Sequence, residues 1–95
     1  MLKVRVGMTI PDELVEALGG DNAVKTLVRD VPADYIRGLD KVMVQQARKE
    51  VGKEGRIRQV GVNVDAAIVL RELYPRSATA VFVLFLFSKL KEQTT

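Results

Sequence analysis

The side chains that most often carry out catalysis near neutral pH are absent from this chain. Its 95 residues include no Cys and no His, which removes thiolate chemistry, Cys-based metal sites and the usual general base. Ser77 and Ser88 therefore have no imidazole with which to form a nucleophilic triad. Asp30 and Asp34 flank Pro32, but a hard cation takes about six or more oxygen ligands. The sequence predicts a protein that is not an enzyme and has no cofactor, metal or small-molecule substrate.

The glycines also fail to form a phosphate-binding loop. A Walker loop needs a Lys and a Ser or Thr directly after its second conserved Gly. Here Gly55 is followed by Arg56 and Ile57, and no G-x-G-x-x-G pattern is present. A nucleotide site of either kind is not expected.

Positive charge is the chemistry that remains. The net charge is +3, and it is unevenly distributed. Residues 1–40 hold five basic and seven acidic side chains, whereas residues 41–95 hold ten basic and five acidic ones. The densest run is "RKEVGKEGRIRQVGV", from Arg48 to Val62. This asymmetry indicates an anionic partner.

The basic residues also follow a helical spacing. Arg37, Lys41, Gln45 and Arg48 recur at steps of four, four and three, so they form one ridge on a helix. Such a ridge neutralises phosphates, and Gln45, Arg48 or Arg58 could reach a base edge. The alternative is a solvated helix face followed by a polar turn. We predict a nucleic-acid-binding surface, with double-stranded DNA as partner, made of Arg37, Lys41, Gln45, Arg48, Lys49, Lys53, Arg56 and Arg58.

Short elements separated by Gly and Pro must position this surface. Alternation over Leu2–Ile10 predicts a strand, and Pro11 begins a helix, "PDELVEAL", that ends at Gly19-Gly20. Asp21 or Asn22 caps a second helix, "NAVKTLVRD". This helix pair is compatible with a helix-turn-helix or with a simple helical corner.

The third helix is predicted to run from Ala33 to about Glu50. Ile36, Leu39, Met43 and Ala47 form its apolar stripe. Tyr35, Val42 and Val44 widen the stripe to about half the circumference, which suggests contact with both the protomer's core and a dimer partner. "GKEG" then forms a turn before a strand, "RIRQVGVNV". A hairpin resembling the wing of a winged-helix domain is the alternative, and the helical periodicity favours the helix.

The last third of the chain is strongly apolar. Asp65 caps a helix, "AAIVLRELY", with Ala66, Val69, Leu70 and Leu73 inward, and Pro75 ends it. Ser77 caps the final segment, "ATAVFVLFLFSKLKEQ". Its residue types favour a strand and its length favours a helix, which we prefer. Because it is apolar all round, a dimer core is its simplest cover. The predicted interface is Val42, Val44, Val81, Phe82, Leu84, Phe85 and Leu86.

The order of these last elements resembles the ribbon-helix-helix family of dimeric DNA-binding proteins. "RIRQVGVNV", "DAAIVLRELY", "PRS" and "ATAVFVLFLFSKLKEQ" give strand, helix, turn and helix over residues 56–93. The resemblance implies that strands of two subunits pair and that Arg56, Arg58 and Gln59 read the major groove. Gly61 interrupts the ribbon, and "YPRS" replaces the usual turn glycine.

The sequence as a whole predicts one domain, residues 1–95, with a frayed tail at about 92–95. The expected fold is mostly α, a small α+β domain that is helix-turn-helix-, winged-helix- or ribbon-helix-helix-like and homodimeric. The apolar run is too short to span a bilayer, so no membrane partner and a cytoplasmic location are expected. The expected function is that of a small basic DNA-binding protein, a transcriptional regulator or a partition or architectural factor. The alternative is a protein-interaction or assembly subunit with no nucleic-acid role.

Overall fold

Two alternating segments far apart in the chain pair into one antiparallel sheet. The computed structural model describes residues 2–53, 55–74 and 77–94. Strand β1 (Lys3–Pro11) pairs with strand β2 (Ile57–Asp65), in a register that sets Lys3 opposite Asp65 and Pro11 opposite Ile57. Both predicted strands are confirmed. One face of the sheet is buried, and the other exposes polar side chains to solvent.

Helices fill the remainder and cover the apolar face of the sheet. They make up 65% of the described chain. The helices are α1 (Asp12–Leu18), α2 (Asp21–Arg29), α3 (Ala33–Arg37), α4 (Lys41–Lys53), α5 (Ala66–Ile68) and α6 (Ala78–Thr94). Helix α5 passes directly into a π-helical segment, Val69–Leu73.

The turn between α1 and α2 depends on its two glycines. Gly19 and Gly20 have φ angles of 111° and 101°, which side-chain-bearing residues rarely adopt. The Gly20 N–H donates to the Val15 carbonyl over 2.9 Å and closes the end of α1. Gly20 is also the residue that precedes α2, so the prediction that Asp21 or Asn22 caps this helix is wrong, and both residues lie in its first turn.

The single helix predicted from Ala33 to Glu50 is wrong, because the chain breaks it at Gly38. Gly has low helix propensity. The Leu39 N–H donates to the Ile36 carbonyl, three residues earlier, over 3.2 Å, which closes a tighter turn than that of an α-helix. Asp40 then restarts the helix, since its Oδ1 accepts from the Val42 N–H over 2.6 Å. The end of α4 agrees better with prediction. It continues to Lys53, which confirms the helix over the hairpin, while Glu54 of the predicted turn lies outside the described residues.

The caps predicted for the last two helices are confirmed. Asp65 accepts from the Ala67 N–H over 2.9 Å, and the Ser77 hydroxyl accepts from the Ala80 N–H over 3.3 Å.

Leu70, predicted to face inward, is 74% exposed. The π-helical turn explains this, because it has more residues per turn than the α-helical template. The stop predicted at Pro75 lies outside the described residues.

Helix α6 confirms the preference for a helix in the final segment, and the protomer itself covers it. It packs against α4, β1, α2 and α1. Five of the seven residues predicted for a dimer interface are buried within the protomer, so their burial does not require a partner. They are Val44, Val81, Phe82, Phe85 and Leu86.

The chain forms a single α+β domain with a radius of gyration of 12.4 Å. This value agrees with the radius of about 12 Å expected for a compact chain of this length. Within the described ranges, no single helix is long and apolar enough to cross a membrane. Ala66–Leu73 and Ala78–Gln93 reach that length and composition only as a pair bent by 100°.

Candidate nucleic-acid interface

Helix α4 buries one side and exposes its basic side chains. Val44, Ala47 and Val51 are buried. At about 100° per residue, the predicted ridge residues of this helix span an arc of about 140° that begins beside Val44 and continues onto the opposite side, and all of them are exposed. We call this surface the α4 basic face, defined as Lys41, Gln45, Arg48, Lys49 and Lys53.

The cations of the α4 basic face make no ion pair with any side chain in the described part of the chain. The one described acid of this helix, Glu50, lies on the flank that faces α6. Lys49 and Lys53 are one turn apart and repel each other. This positive surface is therefore available to an external anion.

Arg58, a predicted base reader, is held by acidic side chains of α1 and α2. Its Nη1 donates to Asp21 Oδ1 and its Nη2 to Glu16 Oε1, each over 2.8 Å, and Nη2 also pairs with Asp12. The hydrogen bonds to Asp21 and Glu16 raise the pKa of the guanidinium above its usual value. This arrangement ties the start of β2 to the α1–α2 corner and leaves Arg58 little capacity for another anion.

Arg56 lies near one of these acids, Asp12, and near Glu13. Its side chain is exposed and lines a shallow cavity of about 360 Å³ with Asp12, Glu13 and Gly55. The Asp12 N–H donates to the Arg56 carbonyl over 3.0 Å. Arg56 is thus placed beside negative charge.

Arg37 belongs to α3 and is also engaged. Its Nη2 lies 2.8 Å from Glu72 Oε1, and its Nη1 lies 3.0 Å from Asp34 Oδ1. The hydrogen bond and charge of Glu72, followed by the charge of Asp34, raise the pKa of Arg37. Asp34 was identifiable as a partner from its i,i+3 spacing, whereas Glu72 is 35 residues away and carries no local signal.

The structure therefore divides the predicted eight-residue surface. Lys41, Gln45, Arg48, Lys49 and Lys53 lie together on one exposed helix face. Arg37, Arg56 and Arg58 lie outside helix α4, and Arg37 and Arg58 are paired with carboxylates. The break at Gly38 is the physical reason that Arg37 does not continue the ridge.

An apolar groove lies between α4 and α6, on the other flank of α4. Its volume is about 260 Å³. Met43 is 45% exposed and Phe87 is 42% exposed, although the sequence predicted Met43 in the apolar stripe and Phe87 in a segment buried on all sides. Leu84 of the predicted dimer interface lines this groove, and Val42 of that interface is 59% exposed on α4. The groove residues are Met43, Gln46, Ala47, Glu50, Val83, Leu84 and Phe87.

No cluster of three or more acidic side chains in the described residues is arranged to hold a metal ion. No protein-family model matches this chain, and neither does any curated protein or solved structure.

Proposed function

We propose that the protein binds nucleic acid, with double-stranded DNA as the expected partner, through the α4 basic face. One observation carries the proposal. Four cations and Gln45 share an exposed helix face with no described acid among them, whereas Arg37 and Arg58 are neutralised by carboxylates. Charge that serves only to hold the fold together would be expected to be paired in the same way.

The dimensions of α4 suit a duplex groove. Its 13 residues give a length of about 20 Å, and a helix about 10–12 Å wide fits a major groove about 12 Å wide. Lys41, Arg48, Lys49 and Lys53 would neutralise phosphates and release counterions. Gln45, near the middle of the helix, would face a base edge. In this proposal α4 acts as the second helix of a helix-turn-helix-like unit that follows the turn at residues 38–40.

Salt dependence tests the electrostatic mechanism. Fluorescence anisotropy with a labelled duplex should give a slope of log K against log salt of about −3 to −4 for four phosphate contacts. The double substitution Arg48→Gln/Lys49→Gln should reduce the slope by about 2. Lys3→Gln/Arg71→Gln removes the same charge from exposed positions elsewhere and serves as the control. Absence of binding at low salt, or equal losses in both variants, would refute the proposal.

A protein-interaction role is the second candidate, and the groove beside α4 favours it. Strand β2 already pairs with β1 over nine residue pairs, so the proposed dimer contact is placed at the groove and not at an intersubunit ribbon. Leu84, Met43 and Phe87 would contact a second copy there. Light scattering should then give a dimer mass that Phe87→Lys reduces to the monomer mass. A monomer mass for the unmodified chain at micromolar concentration would rule out this contact.

A further inference from the structure

A second positively charged site lies where α2 meets the sheet. It is a cavity of about 250 Å³, and its walls come from β1, α2 and β2. Among the described residues, three cations and no carboxylate line it. We call it the α2–sheet pocket, lined by Arg5, Lys25, Thr26, Arg29, Gly61, Val62 and Asn63.

The position of Arg5 in this pocket depends on Gly61. The register sets Gly61 opposite Gly7, so Arg5 is a diagonal neighbour of Gly61 on the solvent-facing side of the sheet. A Cβ on Gly61 would come within 2.6 Å of Arg5 Nε and Nη2, so the guanidinium lies directly on bare backbone. Gly weakens a strand interior, and the backbone of Gly61 is not in the left-handed region that would require it. Close approach of Arg5 is therefore what the glycine permits.

Two of the three cations of this pocket have no carboxylate partner among the described residues. Lys25 and Arg29 are one helical turn apart on α2, which places like charges on the same face. Arg29 approaches Asp30 at 3.6 Å, in an exposed pair outside the lining of the pocket. Arg5 and Lys25 make no ion pair within the described ranges. An anion in the pocket would relieve this repulsion.

We propose that the α2–sheet pocket binds a phosphoryl group. The planar guanidinium groups of Arg5 and Arg29 match phosphate oxygens in pairs, and Lys25 adds a point charge. The Asn63 amide supplies a neutral donor, whereas the Thr26 hydroxyl already donates to the Asn22 carbonyl over 2.9 Å. Pockets for whole drug-sized ligands measure about 300–1,000 Å³. This smaller cavity holds the phosphoryl group and leaves the rest of the ligand in solvent.

The phosphoryl group could come from a small phosphate monoester or from a nucleic-acid backbone. The proposal does not rest on the α4 basic face, since no residue of α4 lines this pocket. The two proposals therefore fail separately. Arg48→Gln/Lys49→Gln should weaken duplex binding and leave binding in the α2–sheet pocket unchanged.

The test is an NMR titration of the full chain at constant ionic strength in chloride. The probe is a nucleoside 5′-monophosphate, and the same nucleoside without phosphate is the control. Saturable shifts are expected at the amides of Lys25, Arg29, Gly61 and Asn63. Gly61→Ala displaces only the flexible end of Arg5, so the fold should persist while the affinity falls about tenfold. Gly7→Ala is the matched control, because a Cβ there meets nothing within 4 Å.

A second arm separates the two sources of phosphate. It uses an oligonucleotide without terminal phosphates, in the Arg48→Gln/Lys49→Gln background. If Gly61→Ala lowers the affinity for the mononucleotide alone, the ligand is a small phosphate ester. If it lowers the affinity for the oligonucleotide, alone or together with the mononucleotide, the ligand is the phosphate backbone of a nucleic acid. Lack of phosphate-dependent shifts in both arms, or equal affinities for the Gly61→Ala and Gly7→Ala variants, would overturn the proposal.

Discussion

The guanidinium of Arg58 and the carboxylate of Glu16 lie 2.8 Å apart, although 42 positions separate them in the chain. This contact, with those to Asp12 and Asp21, joins the start of β2 to the corner formed by α1 and α2. The densest basic run of the sequence thus contains an arginine that holds the fold together. Charge density along a chain does not by itself identify which cations are available to a partner.

Replacing Arg58 should therefore reduce stability and leave duplex binding intact. Arg58→Ala removes the partner of three carboxylates, which then repel one another at the α1–α2 corner. We expect the largest fall in Tm among alanine variants of Arg48, Arg56 and Arg58, measured by thermal unfolding. Anisotropy at a temperature where each variant is folded should show weaker DNA binding for Arg48→Ala alone. A loss of DNA binding in the folded Arg58→Ala variant would show that Arg58 belongs to the DNA-binding surface.

The restart of the helix at Asp40 gives a second prediction. Asp40→Ala removes the side-chain acceptor of the Val42 N–H and should lower the free energy of unfolding by about 1 kcal/mol. Gly38→Ala is the comparison, because Gly38 has an ordinary φ of −76° and an added Cβ would make only van der Waals contacts. It should be neutral or slightly stabilising in denaturant unfolding. A larger cost for Gly38→Ala than for Asp40→Ala would contradict this account of the helix break.

The burial of α6 within one protomer gives a third prediction. Phe82 is fully buried, so Phe82→Ala should cost about 3–5 kcal/mol in unfolding free energy. Phe87, on the same helix, is partly exposed, and Phe87→Ala should cost much less. Denaturant unfolding at two protein concentrations tenfold apart checks the origin of the effect. If the cost of Phe82→Ala changes with protein concentration, Phe82 belongs to an intersubunit core.

Local sequence signals predicted the elements and their ends well. Alternation located β1 and β2, Gly19-Gly20 ended α1, and Asp65 and Ser77 capped the helices that follow them. The break at residues 38–40 was also readable, since Gly followed closely by Asp is typical of a helix end and a new cap. The apolar stripe continues across it in register, and this continuity favoured a single helix.

The sequence did not predict the tertiary contacts. The pairings of Arg37 with Glu72 and of Arg58 with Glu16 join residues more than thirty positions apart and leave no periodic trace. The nearly continuous apolar run in α6 does not indicate which sides of the helix are buried. The sequence therefore could not distinguish burial inside one protomer from burial in a dimer. The α2–sheet pocket was missed for the same reason, because Arg5, Lys25 and Gly61 meet only after the sheet has formed.

Tyr35 should make the stability of the fold sensitive to alkaline pH. Its ring packs edge-on against Phe85 with 5.2 Å between centroids, and burial raises the pKa of its phenol above 10.0. As pH rises, the unfolded chain loses this proton first, so the stabilisation is complete below pH 10 and falls as pH passes the raised pKa. Tyr35→Phe keeps the ring and removes the proton, and its unfolding free energy should decline less between about pH 9 and 11. Tyr74→Phe, at an exposed ring, is the control in denaturant unfolding across this range. Parallel pH profiles for the unmodified chain and Tyr35→Phe would show that ionisation of Tyr35 is not coupled to folding.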